Sequence, residues 1–130
     1  MQTRRLAAFP LFAELPAEEL DALATVMHVV RAGAGERVVT HDEYGTAVFF
    51  IEDGEADVLT DGGDPVKGLH RGDMFGEIAL LLTGQRTATV VARTPMLLLT
   101  LSGHAFDRIR ARVPVLERSL RRLGVARAGW

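Results

Sequence analysis

Phe75-Gly76-Glu77-Ile78-Ala79-Leu80, five further residues, and then Arg86-Thr87-Ala88-Thr89-Val90-Val91-Ala92 form the stretch on which the reading of this chain turns. It lies within a region of short apolar runs, yet Ile78 to Leu82 reads as one or two turns of helix, not as another strand. A helix that starts inside a β unit calls for a reason, and an anion supplies one. The free N–H groups at a helix start point outward, the helix dipole favours negative charge, and Gly76 lets a ligand approach the backbone closely. Arg86 leads directly into strand-like sequence, so its planar fork can return across the helix start from a rigid support and chelate two phosphate oxygens. A carboxylate beside a phosphate is repulsive unless it accepts from a hydroxyl, and a ribose 2′-OH is a suitable donor to Glu77. The pair then reads a phosphorylated sugar.

Outward from this stretch, residues 29–101 alternate short apolar runs (Val38-Val39, Val48 to Ile51, Val90-Val91, Met96 to Leu99) with glycine and aspartate turns, the pattern of a compact β unit. Asp53-Gly54, between Val48 to Ile51 and Ala56 to Leu59, is the strongest short hairpin signal in the chain. A second turn cluster is Asp61-Gly62-Gly63-Asp64-Pro65. Residues 1–28 read as a helical segment: Pro16 suits a first helical position, Glu18 and Glu19 favour the positive helix end, and Leu20, Leu23 and Met27 recur at helical spacing above Phe9, Leu11 and Phe12. Helical spacing returns over 102–124. Ser102 is a cap, Phe106 and Ile109 share a face, and Pro114 opens a last helix bearing Leu116, Leu120 and Leu123. The order predicts an α+β fold in which helices flank a β roll.

A length of 130 residues with 48% hydrophobic content suits one domain spanning 1–130. The formal charge of −2 makes any anion site a local one, and the absence of cysteine removes disulfides, thiolate metal sites and a cysteine nucleophile. No apolar run approaches the ~18 residues of a spanning helix, and the opening Met1 to Leu6 lacks an export core, so the expected setting is cytoplasmic, with no membrane insertion. Arg108, Arg110, Arg112, Arg118, Arg121 and Arg122 read as a solvated helical face diluted by Asp107 and Glu117, not as a nucleic-acid site. His28, His41, His70 and His104 are scattered, which argues against a cupin-type metal enzyme, and no nucleophile has a companion base.

The central stretch resembles the phosphate-binding cassette of the cyclic-nucleotide-binding domain family. The likeness extends to Phe9-Pro10-Leu11-Phe12, to Val48 through Gly54, to Arg71-Gly72-Asp73 and to the last two helices. It implies an eight-stranded antiparallel β roll of double-stranded β-helix type, an N-terminal helical segment, a short cassette helix within 75–88 and two C-terminal helices. It also implies a non-enzymatic sensor of cyclic AMP or cyclic GMP, cyclic AMP being the default. Glu77 would bind the ribose hydroxyl, Arg86 the cyclic phosphate, the backbone of Gly76, Ile78 and Ala79 the phosphate oxygens, and Thr87 the phosphate or the purine. A residue of the last helix would cover the base, Arg127 first and Arg121, Arg122 or Leu123 otherwise. The output would pass to an effector outside this chain, of channel, transporter or kinase type. The alternative is a ligand-free docking module with the same fold. One departure stands out: relatives usually place glycine where this chain has Asp42, a residue that tolerates the left-handed conformation.

Overall fold

The computed structural model describes residues 1–60 and 62–126. Three short helices open the chain, α1 (Thr3–Ala7), α2 (Pro10–Ala13) and α3 (Ala17–Ala24). Eight strands follow, β1 (His28–Ala32), β2 (Arg37–Val39), β3 (Val48–Asp53), β4 (Ala56–Leu59), β5 (Pro65–Leu69), β6 (Met74–Phe75), β7 (Thr89–Ala92) and β8 (Met96–Leu101). A cassette helix interrupts them between β6 and β7, and α4 (Gly103–Ile109) and α5 (Pro114–Ala126) close the chain. The strands form two four-stranded antiparallel sheets, ordered β1-β8-β3-β6 and β2-β7-β4-β5. This is the expected β roll with its flanking helices.

The two central strands of the first sheet, β3 and β8, are buried on both faces along most of their length, which is why their sequences are nearly continuous apolar runs. Along β3, Val48 and Phe50 face the helical layer, whereas Phe49 and Ile51 face the space between the sheets. β8 divides the same way, with Leu99 and Leu101 toward the helices and Met96 and Leu98 toward the roll interior. Two hydrophobic clusters result, one on each side of the sheet. Phe9, Phe12 and Phe50 join α2 to β3, with ring centroids 4.7 to 5.9 Å apart. Ser102 caps α4 as expected, its hydroxyl accepting from the Ala105 N–H at 3.1 Å.

Asp53-Gly54 is not a hairpin. β3 pairs with β6 and β8, while β4 pairs with β5 and β7, so this dipeptide carries the chain from one sheet to the other. Gly54 is required there for two reasons. Its φ is +99°, and a Cβ would fall 2.5 Å from the Pro95 carbonyl oxygen, where the β7–β8 corner passes beneath. The true hairpin is the second turn cluster, between β4 and β5, where Gly63 at φ +88° donates to the Thr60 carbonyl at 2.9 Å.

α5 is held at its start by a residue from the opposite end of the chain. Glu19 on α3, only 4% exposed, accepts from the Val115 N–H at 3.1 Å and the Leu116 N–H at 2.9 Å. A buried carboxylate thereby satisfies two of the orphan donors of the helix N-terminus and complements its dipole. Leu116 and Leu120 point into the helical cluster, and Leu123 packs against it. The arginine-rich face is exposed, and Glu117 bridges Arg110 and Arg121 across it.

Candidate functional site

β6 ends at Phe75, stacked on Phe49 at 5.2 Å, and the backbone turns at Gly76 with φ +97°. A Cβ at this position would lie 2.7 Å from the Ala47 carbonyl oxygen and 2.9 Å from Nη1 of Arg86, so no other residue fits. The helix that follows runs over 77–83. Its first closing bond is from the Leu80 N–H to the Gly76 carbonyl at 3.2 Å, so the N–H groups of Glu77, Ile78 and Ala79 precede its ladder. From Ala79 to Thr83 the winding is of the wide π type, closed by Gly84 in the left-handed region, whose N–H reaches the Ala79 carbonyl at 3.0 Å. Leu80 and Leu81 root this helix in the helical cluster, while Phe75 just before it belongs to the roll interior.

Arg86 returns to the helix start from the approach to β7. Its residue exposure is 8%, Nη1 donates to the Ala47 carbonyl at 2.8 Å, and the guanidinium lies 5.8 Å from the Phe49 ring centroid. Burial lowers its pKa from the ordinary arginine value. Among the described residues it forms no ion pair, in contrast to Arg5, Arg93, Arg110 and Arg121, which each meet a carboxylate. A guanidinium desolvated against a neutral carbonyl and an aromatic face is a cation whose burial is only partly offset, and an anion placed beside it completes the site.

Gly76, Glu77, Ile78, Ala79, Arg86 and Thr87, all anticipated from sequence, line one cleft, together with Val39, Phe75, Ala88 and Val90, which were not. The cavity at its bottom is small, about 30 Å³, and the cleft opens from there to solvent. Glu77 is 2% exposed. The apolar quartet sits on β2, β6 and the two sides of the β7 start, so it comes together only through strand pairing across the second sheet and the roll. Phe75, Ala88 and Val90 lie within the stretch that decides the fold, but nothing local distinguishes them, or Val39, as lining residues.

The proposed covers behave differently. None of the described residues of α5 is among those lining the cleft. Arg121 is held by Glu117, Arg122 donates to the Ser119 hydroxyl at 3.1 Å, and Leu123 packs on the helical cluster. Arg127 lies outside the described residues. The part of α5 that approaches the cassette is Gly124, where a Cβ would sit 3.8 Å from Cγ of Glu77 and 3.9 Å from Cγ1 of Ile78. Among the described residues no cluster of three or more His, Asp or Glu side chains is arranged to hold a metal ion. Asp42 adopts the left-handed conformation expected of it, at φ +68°.

Residues 29–113 match the model of a family described as cyclic nucleotide-binding domain. The chain is 37% identical over 112 residues to the cAMP-dependent protein kinase regulatory subunit of Eremothecium gossypii, covering 86% of this chain and 24% of that protein. It is 32% identical over 122 residues to the mouse potassium/sodium hyperpolarization-activated cyclic nucleotide-gated channel 2, covering 94% of this chain and 14% of the channel. The chain thus spans about a quarter or less of these curated relatives. Among solved structures, the regulatory domain of Toxoplasma gondii PKA crystallised with cAMP superposes with a TM-score of 0.72 at 29% identity, covering 85% of this chain and 42% of that one. A regulatory subunit of a cAMP-independent protein kinase A from Trypanosoma brucei shares the fold, with a TM-score of 0.82 at 23% identity over 93% of this chain and 43% of that one. No helix of the described residues is long and apolar enough to cross a membrane. With the family model covering most of the roll and the cassette residues gathered at one cleft, the chain belongs to the cyclic nucleotide-binding domain family.

Proposed function

We propose that this domain is a regulatory sensor that binds a cyclic nucleotide, cyclic AMP in preference to cyclic GMP, in the cleft between the cassette and β7. The observation that carries the reading is Arg86: a buried guanidinium, bonded to a neutral carbonyl, in the same cleft as the buried carboxylate of Glu77. A cyclic phosphodiester supplies the anion for Arg86, the backbone donors of Gly76, Ile78 and Ala79 share its oxygens, and the ribose 2′-OH donates to Glu77. Thr87 lines the same cleft and serves as the base-facing hydroxyl. The curated relatives support this ligand class by their names, since they are cAMP-dependent and cyclic nucleotide-gated.

Ligand binding is transmitted by α5, whose Gly124 end packs against Glu77 and Ile78. A ligand shifts a conformational equilibrium only through its different affinity for the two states, so α5 must rest differently on the cassette when the cleft is filled. The effector is a kinase or a channel lying outside this chain, in a cytoplasmic setting, and the domain itself performs no chemistry. Calorimetric titration with cyclic AMP, cyclic GMP and 5′-AMP tests the assignment. Saturable one-to-one binding of cyclic AMP, weaker binding of cyclic GMP and weaker still of 5′-AMP are expected. Absence of binding for both cyclic nucleotides up to about 1 mM, an interaction of roughly −4 kcal/mol, refutes it in favour of a docking module with the same fold.

A further inference from the structure

The cassette supplies Arg86, but it does not hold it. We propose that the segment 42–45, some forty residues upstream, is the mount of Arg86, and that Gly45 within it is a positioning residue that fixes where the guanidinium lies. This rests on the reading of Arg86 as the phosphate ligand. The segment is bonded to 84–86 along its whole length. The Arg86 N–H donates to the Glu43 carbonyl at 2.8 Å, the Asp42 N–H donates to the Arg86 carbonyl at 2.9 Å, and the Gly45 N–H donates to the Gly84 carbonyl at 3.0 Å. The side-chain amide of Gln85 donates to the Asp42 carbonyl at 3.0 Å, and Tyr44 pairs with Gln85 as an isolated antiparallel bridge. The backbone of Arg86 is therefore fastened on both its polar groups by two consecutive residues, with Asp42 in the left-handed conformation to begin the turn.

The side chain is located by what Gly45 lacks. A Cβ on Gly45 would lie 3.1 Å from Nε and 3.2 Å from Nη2 of Arg86, but 3.5 Å from the central Cζ. The greater distance to Cζ places the contact on the Nε–Nη2 edge of the guanidinium, which Gly45 backs from outside the cleft, since it is not among the cleft's lining residues. The backbone of Gly45 does not explain the glycine, because its φ is outside the left-handed region. Nor can the guanidinium simply retreat. Nη1 is tied to the Ala47 carbonyl at 2.8 Å, and a retreat would stretch that bond. A side chain at residue 45 would thus push the fork aside by a few tenths of an ångström, and its absence leaves the fork where the cleft needs it.

The test is a double-mutant cycle read by calorimetry with cyclic AMP. Gly45→Ala is expected to weaken binding about ten- to a hundredfold, the worth of one charge-assisted hydrogen bond. In an Arg86→Lys background, which keeps the charge but has no fork to displace, the same change is expected to alter affinity by less than about threefold. Gly33→Ala, at a position with nothing within 4 Å and an unexceptional φ, is the control for the loss of glycine itself and should bind as the parent does. Asp42 provides a second route through the backbone: Asp42→Gly keeps the left-handed turn and the affinity, whereas Asp42→Val strains it and weakens binding. Parent-like affinity for both Gly45→Ala and Asp42→Val overturns the mount, and an equal loss from Gly45→Ala in both Arg86 backgrounds overturns the role of Gly45. A parent that binds no cyclic nucleotide refutes the underlying function as well, and the parent's own titration separates the two failures.

Discussion

Replacing Arg86 by methionine should move stability and affinity in unrelated ways, and the structure gives both magnitudes. In the ligand-free fold the change removes one hydrogen bond to the Ala47 carbonyl and a cation–π contact with Phe49, together worth about 2 to 3 kcal/mol. Against this, a guanidinium that is 8% exposed and meets no carboxylate among the described residues no longer has to be desolvated, a relief of several kcal/mol per buried ion. Methionine, shorter than arginine but flexible, fills part of the space left behind. The net change in unfolding free energy is therefore expected within about 1 kcal/mol of zero. Affinity for cyclic AMP, by contrast, should fall by two to four decades, because the phosphate charge is left without its buried partner at a cost of about 3 to 5 kcal/mol. Urea unfolding without ligand and calorimetry with it measure the two quantities on the same sample. Destabilisation beyond about 2 kcal/mol with affinity intact would show that Arg86 is a structural residue, and the reasoning from its unoffset burial would fail.

Three further outcomes follow from the same structure. Glu77→Ala should cost about 1 to 3 kcal/mol of binding and narrow discrimination between cyclic AMP and its 2′-deoxy analogue; a variant that discriminates as well as the parent excludes Glu77 as the ribose acceptor. Glu19→Ala leaves the Val115 and Leu116 donors without their carboxylate and should destabilise the fold by about 2 to 3 kcal/mol in thermal or urea unfolding, an expectation that an unchanged transition midpoint contradicts. Glu117, between the guanidinium groups of Arg110 and Arg121, has its pKa lowered from 4.5 to about 2. A depressed carboxyl contributes stability that is complete above its unfolded value and lost as pH falls toward 2. Glu117→Gln should therefore cost about 1 kcal/mol at neutral pH and nothing at pH near 2, whereas a cost that persists in acid assigns the effect to packing.

What could be read in the sequence was whatever neighbouring residues decide among themselves. The Ser102 cap, the Pro114 start, the cassette from Gly76 to Arg86 and the left-handed Asp42 are local matters of backbone chemistry, and each lies where it was expected. Asp53-Gly54 misled because a tight reversal looks the same whether the next strand pairs with its predecessor or crosses to the other sheet. The deciding atom, the Pro95 carbonyl oxygen, is supplied by a corner about forty residues later. Glu19 read as one of several acids at a helix start, since nothing near it reveals that α5 arrives 96 residues on to be capped. The walls around Arg86, Gly45 and Ala47, were equally silent: a missing side chain and a carbonyl leave no mark until the chain folds back on itself. The last helix was expected to cover the ligand, and what its described residues bring to the cassette is the small residue Gly124, whose packing partners no helical period announces.

The cassette has a foot in each hydrophobic cluster, Phe75 in the roll interior and Leu80 and Leu81 in the helical layer. Val39 and Val90, which shape the cleft, belong to the first cluster, and the buried leucines of α5 to the second. On the proposed function, recognition draws on the first set of residues and response on the second, and a single short helix joins the two. On that proposal, such a division would let one small fold work within proteins as different as a kinase regulatory subunit and a channel, by changing the helical set alone.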